Sequence, residues 1–546
     1  MKNKLRLFTL LSIPVIILAF ASPNEKYFEI AKNLDIFATL FKEVNAYYVD
    51  EIDPADLVKT GIDAMLHSLD PYTSYIPEEE IESFRTMTTG QYAGIGAMIS
   101  NIKGRVFITM PYEGFAAHRA GLKVGDEIIK IDEVDIEGTS VSTVSKLLKG
   151  QIRTDVSLII KRTGVKEPLT FHLKREKIEI SNVPYFGMVN DLTGYIKLED
   201  FTVGAGREVK DALLDLKMKG VKNIILDLRG NPGGLLSEAV NVSNVFIPKG
   251  SEVVSTKGKI KEWNKTYKAL NNPGDIEIPL IVLTDEGSAS AAEIVSGVIQ
   301  DYDRGLLVGR KTFGKGLVQT TRPLTYNSQL KVTTAKYYIP SGRCIQAIDY
   351  SHRDKFGHAE KIPDSLQIKF KTQNGRMVYD GSGLAPDVSL DMEYMAPITS
   401  KLVFSGIIFM YANEFYATHE NIPAARDFRL TDKDYSAFVE WLKDKDYSYI
   451  TKVEESVSEL ESSAKADGYY DDVKDEIKSL RLRVANSKKQ DLITFKSEIK
   501  KILESEISSR YYLYKGELET SFASDADLQE ALRIFSEDDL YNKLLN

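Results

Sequence analysis

The spacing of hydrophobic residues along this 546-residue chain changes several times, and each change marks a different kind of segment. From about 25 to 85, apolar residues recur at helical spacing in "IFATLFKEVNAYYV" and "LVKTGIDAMLHSL", until "DPYTSYIPEEE" breaks the pattern. Between about 88 and 178 the runs shorten and glycines punctuate them. "RVFITM", "EIIKIDEVDI" and "VSLIIKR" predict strands there, and "SVSTVSKLLKG" predicts a helix ending at Gly150. From 190 to 390 strand-like runs ("TGYIKLEDF", "VKNIILDLRG", "IPLIVLTDE", "GLLVGRKTF", "LKVTTAKYYIP") alternate with helical ones ("AGREVKDALLDLKMK", "LLSEAVNVSNVF", "ASAAEIVSGVIQDY"). That order predicts an α/β core with parallel pairing. From about 395 onward, "VEESVSELESS" and "DEIKSLRLRVANSKKQDLITFKSEIKKILESEIS" carry apolar residues at helical spacing with opposite charges between them. The expectation is a multidomain α/β chain: a helical segment at 22–87, a β-rich domain at 88–178, an α/β core at 179–394 and a helical C-terminal domain at 395–546.

The first residues follow another logic. "MKNKLR" is basic, "LFTLLSIPVIILAFA" is apolar, and Ala19-Phe20-Ala21 fits a small-x-small cleavage site, so residues 1–21 read as an export signal. The apolar run is shorter than the roughly 20 residues a spanning helix needs, and an uncleaved anchor is the alternative. The expected place is a bacterial periplasm, at the inner membrane if the signal stays on. Composition narrows the chemistry further. A net charge of −9 without a basic block argues against nucleic acid as a partner. One cysteine, Cys344, excludes an internal disulfide framework and any multi-cysteine metal site. No metal or cofactor is expected.

Candidate chemistry gathers in "LTDEGSASAAEIVSGVIQDYDRGLLVGRKTFGKGLVQT", residues 283–320, which contains no histidine. Ser290 falls at a strand-to-helix turn, where unpaired N–H groups and the helix dipole favour a developing negative charge. A serine there is equally suited to cap the helix. Lys315, one helix and one strand later, would have to lose its charge to act as a base. A free lysine is about one part in a thousand neutral at pH 7, so desolvation is required. A bare Gly-Lys-Gly could also be a surface or anion-binding loop. "NIILDLRGNPGGLL" places Gly233 and Gly234 after another strand, where their N–H groups could receive a substrate carbonyl. No Gly-Lys-Ser/Thr follows, which rejects a phosphate-binding P-loop.

Two resemblances sharpen these readings. "GFAAHRAGLKVGDEIIKIDEVDI", preceded by "YAGIGAMIS", resembles a PDZ domain, a module that adds an extended chain end to a sheet edge and seats its terminal carboxylate in a glycine loop. By that resemblance Gly94, Ile95, Gly96 and Ala97 form the carboxylate loop, and Val144, Leu147 and Leu148 line the groove. The order of "AMLHSLDPYTSYIPEEEIESF", this PDZ-like segment, "DLRGNPGGLL", the serine and lysine blocks, "LKVTTAKYYIPSGRCIQ" and "GSGLAPDVSLD" resembles the C-terminal processing peptidases, or tail-specific proteases, over about residues 30 to 390. The resemblance implies Ser290 as nucleophile, with Ser288 its neighbour in the motif, and Lys315 as general base. It implies Gln319 as the residue orienting the lysine amine, and Gly233, Gly234 and the Ala291 N–H as oxyanion-hole donors. Asp301 occupies an acidic position with a structural role. Ala292 and Cys344 stand where serine is common in the family; neither touches the chemistry.

The expected activity is endoproteolysis upstream of a free C-terminus held by the PDZ-like domain, with the C-terminal tails of proteins or peptides as partners and access gated by that domain. The helical termini offer surfaces for homo-oligomerisation, and an adaptor or lipoprotein that delivers substrates fits the same scheme. Two other readings stand beside it: a non-enzymatic binding protein on the same scaffold, and a PDZ-type adaptor whose core only supports peptide capture.

Overall fold

Near-continuous apolar strands such as "LIVLT" need cover on both faces, and the chain supplies it from two distant stretches. The computed structural model describes residues 26–355 and 357–546, so the expected export signal lies outside the described residues. The chain divides into two units, one running to Ile76 and taking in Thr321–Val332, the other made of Pro77–Thr320 and Thr333–Asn546. In the first unit, residues 26–47 and Pro54–His67 are helical, and Ser74–Ile76 pairs antiparallel with residues 329–331.

The second unit begins with a β-rich domain. Strands β1 (Ala97–Ile102), β2 (Arg105–Pro111), β3 (Glu127–Ile131), β4 (Asp155–Lys161) and β5 (Leu169–Lys174) form an antiparallel sheet in that order. Helix α1 (Val141–Leu148) starts at Ser140, whose hydroxyl accepts the Thr143 N–H. Its core joins Ile95, Ile108, Ile128, Val144, Leu148, Leu158 and Ile160. Among the described residues, β1 lies at the edge of the sheet, with β2 its one neighbour in the strand order.

The α/β core contains β6 (Tyr185–Met188), β7 (Thr193–Lys197), α2 (Ala205–Met218), β8 (Asn223–Asp227), α3 (Leu236–Phe246), β9 (Glu252–Gly258), β10 (Leu280–Thr284), α4 (Ala291–Asp301), β11 (Leu306–Gly309), β12 (Leu317–Pro323), β13 (Gln329–Tyr338) and β14 (Val388–Ser389). The central sheet has the order β6-β7-β8-β10-β11-β14, antiparallel at its first pair and parallel from β7 onward. Alternation along the strands sorts its side chains. Ile224, Leu226, Leu280 and Val282 join the core that includes residues of α2, α3 and α4. Ile225, Ile281, Leu283, Leu306 and Val308 join the opposite core, with Phe522, Leu528, Ala531 and Ile534.

Those last residues belong to the helical C-terminal region, which includes α5 (Ile407–Thr418), α6 (Lys496–Ser521), α7 (Ala526–Ser536) and α8 (Leu540–Leu545). α5 and α6 form a helical core of their own, whereas α7 and α8 are the second cover of the central sheet. α5 also touches the β-rich domain: Phe107 and Phe409 meet edge to face at 5.4 Å, and Lys123 Nζ donates to the Tyr416 hydroxyl at 2.9 Å. Among the described residues, no helix is long and apolar enough to cross a membrane.

Candidate active site

Three loops leave the carboxyl ends of the neighbouring parallel strands β8, β10 and β11, the place where open α/β sheets hold their ligands. They carry, in turn, Gly233 and Gly234, Ser290, and Lys315. Backbone and side-chain hydrogen bonds stitch them together. The Ala289 N–H donates to the Asn231 carbonyl at 2.9 Å, the Gly230 N–H to Asp285 Oδ1 at 2.8 Å, and the Phe313 N–H to the Ser288 carbonyl at 3.0 Å.

Ser290 is the N-cap of α4, and Glu293 forms a capping box with it; the Ser290 N–H donates to Glu293 Oε2 at 2.9 Å. Its backbone lies at φ +55°, ψ −110°, a conformation that side-chain-bearing residues avoid. Strain of this kind persists only where the surroundings over-determine it, and here it falls on a half-buried residue at the head of the helix. Ser288 is the contrasting serine: fully buried, its hydroxyl donates to the Leu228 carbonyl at 2.8 Å and closes a turn with Asp285. It is a structural tie between two loops.

The glycine loop lies directly against Ser290. A Cβ on Gly233, at φ +94°, would stand 2.8 Å from both the Ser290 Cβ and the Ala291 nitrogen, and one on Gly234 would stand 2.6 Å from the Phe201 carbonyl oxygen. Any side chain there would push the loop off the serine. The Gly233 N–H donates to Asn231 Oδ1 at 2.8 Å, so that amide stands between it and a substrate oxygen. Ala291 is the first residue of α4, and its N–H has no intrahelical acceptor.

Lys315 is half-buried between buried Gly314 and Gly316. Its N–H donates to Glu293 Oε2 at 2.9 Å, and its carbonyl lies 2.6 Å from the Tyr337 hydroxyl, which also reaches the Ser290 carbonyl at 3.2 Å. Gln319 lies four residues along, and its side-chain amide donates to Thr333 Oγ1 at 3.2 Å. Asp301 is buried at the far end of α4, paired with the buried Arg343 at 2.8 Å and accepting the Ser341 N–H. Burial pushes the Cys344 thiol above its usual range, which disfavours its thiolate form.

Sequence reasoning passed over Glu293, Tyr337 and Asn231. The Ser-x-x-Glu spacing of a capping box was legible for Glu293; no local signal marks Tyr337 within "AKYYIP". Glu293 is fully buried, and burial pushes its carboxyl up to about 7 against the hydrogen bonds it accepts.

A second buried network braces the glycine loop from the other side of the sheet. Arg229 pairs with Asp227 at 2.6 Å, with Asp525 at 2.7 Å and with Asp527 at 3.0 Å, while Lys197 Nζ donates to the Arg229 carbonyl at 2.6 Å. The loop bearing Gly233 is therefore tied to the N-terminus of α7, where Asp525 caps the helix.

In the β-rich domain, Gly96 has φ +76° and no room for a side chain: a Cβ would stand 2.5 Å from the Phe115 Cβ. Gly94 and Ile95 are buried beside it, and Ala97 opens the edge strand β1. Of the three helix residues expected along a groove, Val144 and Leu148 are buried in the domain core, while Leu147, like Ala97 and Ile99, is only partly buried against it.

Comparison with known proteins agrees with this layout segment by segment. Residues 85–161 match the PDZ domain, 192–351 match peptidase family S41, and 398–535 match the C-terminal helical domain of probable PDZ-proteases. A carboxy-terminal-processing protease of Bartonella bacilliformis is 37% identical over 344 residues, covering 62% of this chain and 78% of that protein. A probable CtpA-like serine protease of Staphylococcus aureus is also 37% identical over 344 residues, covering 62% of this chain and 68% of that one. Among solved structures, the photosystem II D1 C-terminal processing protease is 27% identical and aligns over 65% of this chain and 92% of its own, with a TM-score of 0.34. With a serine at the head of a helix, a PDZ domain before it and a helical domain after it, the chain belongs to the carboxy-terminal-processing proteases of peptidase family S41 and is a serine-type peptidase.

Proposed function

We propose that this peptidase cuts protein chains upstream of a free C-terminus, with Ser290 as nucleophile and Lys315 as general base. The observation that carries the reading is the meeting of three strand-end loops, which puts a strained serine at a helix N-terminus, against Gly233, with its N–H on the same carboxylate oxygen as that of Lys315. Neutral Lys315 takes the Ser290 hydroxyl proton as Oγ attacks the peptide carbonyl, and the oxyanion turns toward the N–H groups of Ala291 and Gly234, that of Gly233 being held by Asn231. The ammonium returns its proton to the leaving amine. Water then adds to the acyl carbonyl with the same lysine as base, and the serine leaves. Gln319 orients the lysine amine within this scheme.

Capture is assigned to the PDZ domain. β1 offers an unpaired edge to an extended tail, and the loop Gly94–Ala97 offers backbone N–H groups to its carboxylate. Export is part of the same reading, supported by the basic and then apolar order of residues 1–21; a mature chain beginning after Ala21 is the expected outcome of N-terminal sequencing.

The deciding experiment digests an unfolded protein with an apolar C-terminus, as the free acid and as the terminal amide, with wild type, Ser290→Ala and Lys315→Ala. Cleavage by wild type alone, slower on the amide, is expected. Full activity of Lys315→Ala would remove the lysine from its role, and equal cleavage of acid and amide would remove the PDZ domain from carboxylate recognition.

A further inference from the structure

Two groups outside the dyad each contact both of its members. Glu293 Oε2 accepts the N–H of Ser290 and the N–H of Lys315, each at 2.9 Å. The Tyr337 hydroxyl lies 3.2 Å from the carbonyl of Ser290 and 2.6 Å from the carbonyl of Lys315. The two residues are 25 positions apart in sequence and on different loops, yet both peptide groups of each are held between the same carboxylate and the same phenol. We propose that Glu293 and Tyr337 are a brace that sets the spacing of Ser290 and Lys315; they are positioning residues, and the inference rests on the dyad reading above.

The surroundings of the brace agree with that role. Glu293 Oε1 takes the Thr312 hydroxyl at 2.5 Å and the Gly314 N–H at 2.7 Å, so the carboxylate gathers the whole turn "TFGK" onto the first turn of α4. Its four donors are three backbone N–H groups and one hydroxyl, all neutral, which is an arrangement for geometry and not for charge neutralisation. Glu293 is fully buried, and Tyr337 is 1% exposed with its ring in the core below the central sheet. Tyr337 is itself held by its N–H, which donates to the Gly316 carbonyl at 3.0 Å. These contacts are to the backbone that carries Ser290 and Lys315. Misplacing a catalytic group by about 1 Å costs on the order of a hundredfold in rate, so a brace on both sides has a kinetic consequence.

The test compares wild type with Glu293→Ala, Glu293→Gln and Tyr337→Phe in the full-length protein, with Ser290→Ala and Lys315→Ala alongside. The readouts are kcat and KM on a C-terminal tail peptide, the rate of Ser290 labelling by a fluorophosphonate, and the folded fraction by thermal melting. Glu293→Ala is expected to lower kcat per folded molecule by roughly a hundredfold and to slow labelling, with KM within about twofold of wild type. Glu293→Gln recovers part of that loss, because one amide oxygen still takes both N–H groups. Tyr337→Phe, which keeps the ring and removes the hydroxyl, lowers kcat about tenfold. A folded Glu293→Ala with kcat within threefold of wild type overturns the brace. If Glu293→Ala does not fold, Tyr337→Phe decides alone, and an unchanged kcat overturns it. Full activity in Lys315→Ala or Ser290→Ala instead sinks the dyad, a result separable from either of these.

Discussion

The protease site and the tail-binding end of the PDZ domain differ in how their backbones are satisfied. Around Ser290 and Lys315, one carboxylate takes four donors and one phenol touches two carbonyls. In the PDZ domain, β1 pairs on one side only among the described residues. Chemistry demands that donors be aimed before the substrate arrives, since reorganisation during the reaction adds to the barrier. Capture of an extended chain demands the reverse, a row of peptide groups left open for another strand. One region is finished without its substrate, and the other is finished by it.

The sharpest way to break this comparison is to separate the two regions by mutation. Ser290→Ala and Lys315→Ala are each expected to lower kcat by roughly a thousandfold or more, with tail-peptide affinity unchanged in a fluorescence-anisotropy titration. A parallel loss of affinity would mean that the two regions are one. Next in size is the brace behind the glycine loop. Arg229→Ala removes the partner shared by Asp227, Asp525 and Asp527 but leaves Lys197 and Tyr195 on Asp227 and Arg310 on Asp527, so a loss of about 1.5–3 kcal/mol is expected in denaturant unfolding. An unchanged midpoint would show that the network carries no stability.

Gly96→Ala is the converse of the serine change. Its Cβ would stand 2.5 Å from the Phe115 Cβ at φ +76°, so the loop must move. KM for a free tail is expected to rise roughly tenfold, about 1.4 kcal/mol, with kcat held. A fall in kcat at constant KM would assign the loop to the chemistry.

The smallest effect is on pH dependence. The Glu293 carboxyl is raised by burial from 4.5 to about 7, so the folded state holds its proton more tightly than the unfolded chain does. Stability from this group is therefore fully present below about pH 4.5 and is lost as pH rises through 7. The melting temperature of Ser290→Ala should fall across that window more steeply than that of Ser290→Ala with Glu293→Gln. Equal slopes would refute the shift.

Much of this architecture was legible in the chain because its periodicities are strong. "IPLIVLT", "NIILDLRG" and "GLLVG" are apolar at consecutive positions, which suits strands covered on both faces, and they became β10, β8 and β11. What stayed hidden depends on contacts distant in sequence. Leu528, Ala531 and Ile534 have ordinary helical spacing, and nothing local says that they cover Ile225 and Ile281, about 250 to 300 residues earlier, within the core of a different segment. In the chain Ser290 stood out by its strand-to-helix turn, and Ser288 was set aside only through the resemblance; the structure separates them by burial and by φ. Glu293 was passed over although it completes a Ser-x-x-Glu spacing, because that spacing reads the same whether the capping serine is inert or reactive. On α1, helical spacing alone does not distinguish Leu147 from Val144 and Leu148, because the facing strand decides which side is core.

The cover of the central sheet also has a consequence in time. A ribosome makes β8, β10 and β11 long before it makes α7 and α8, so the face bearing Ile225, Ile281, Leu283, Leu306 and Val308 waits uncovered until those two helices emerge. Asp525 and Asp527 arrive equally late to hold Arg229 and the glycine loop behind it. A nascent chain thus carries Ser290 and Lys315 before the second cover of the sheet that bears them has been made.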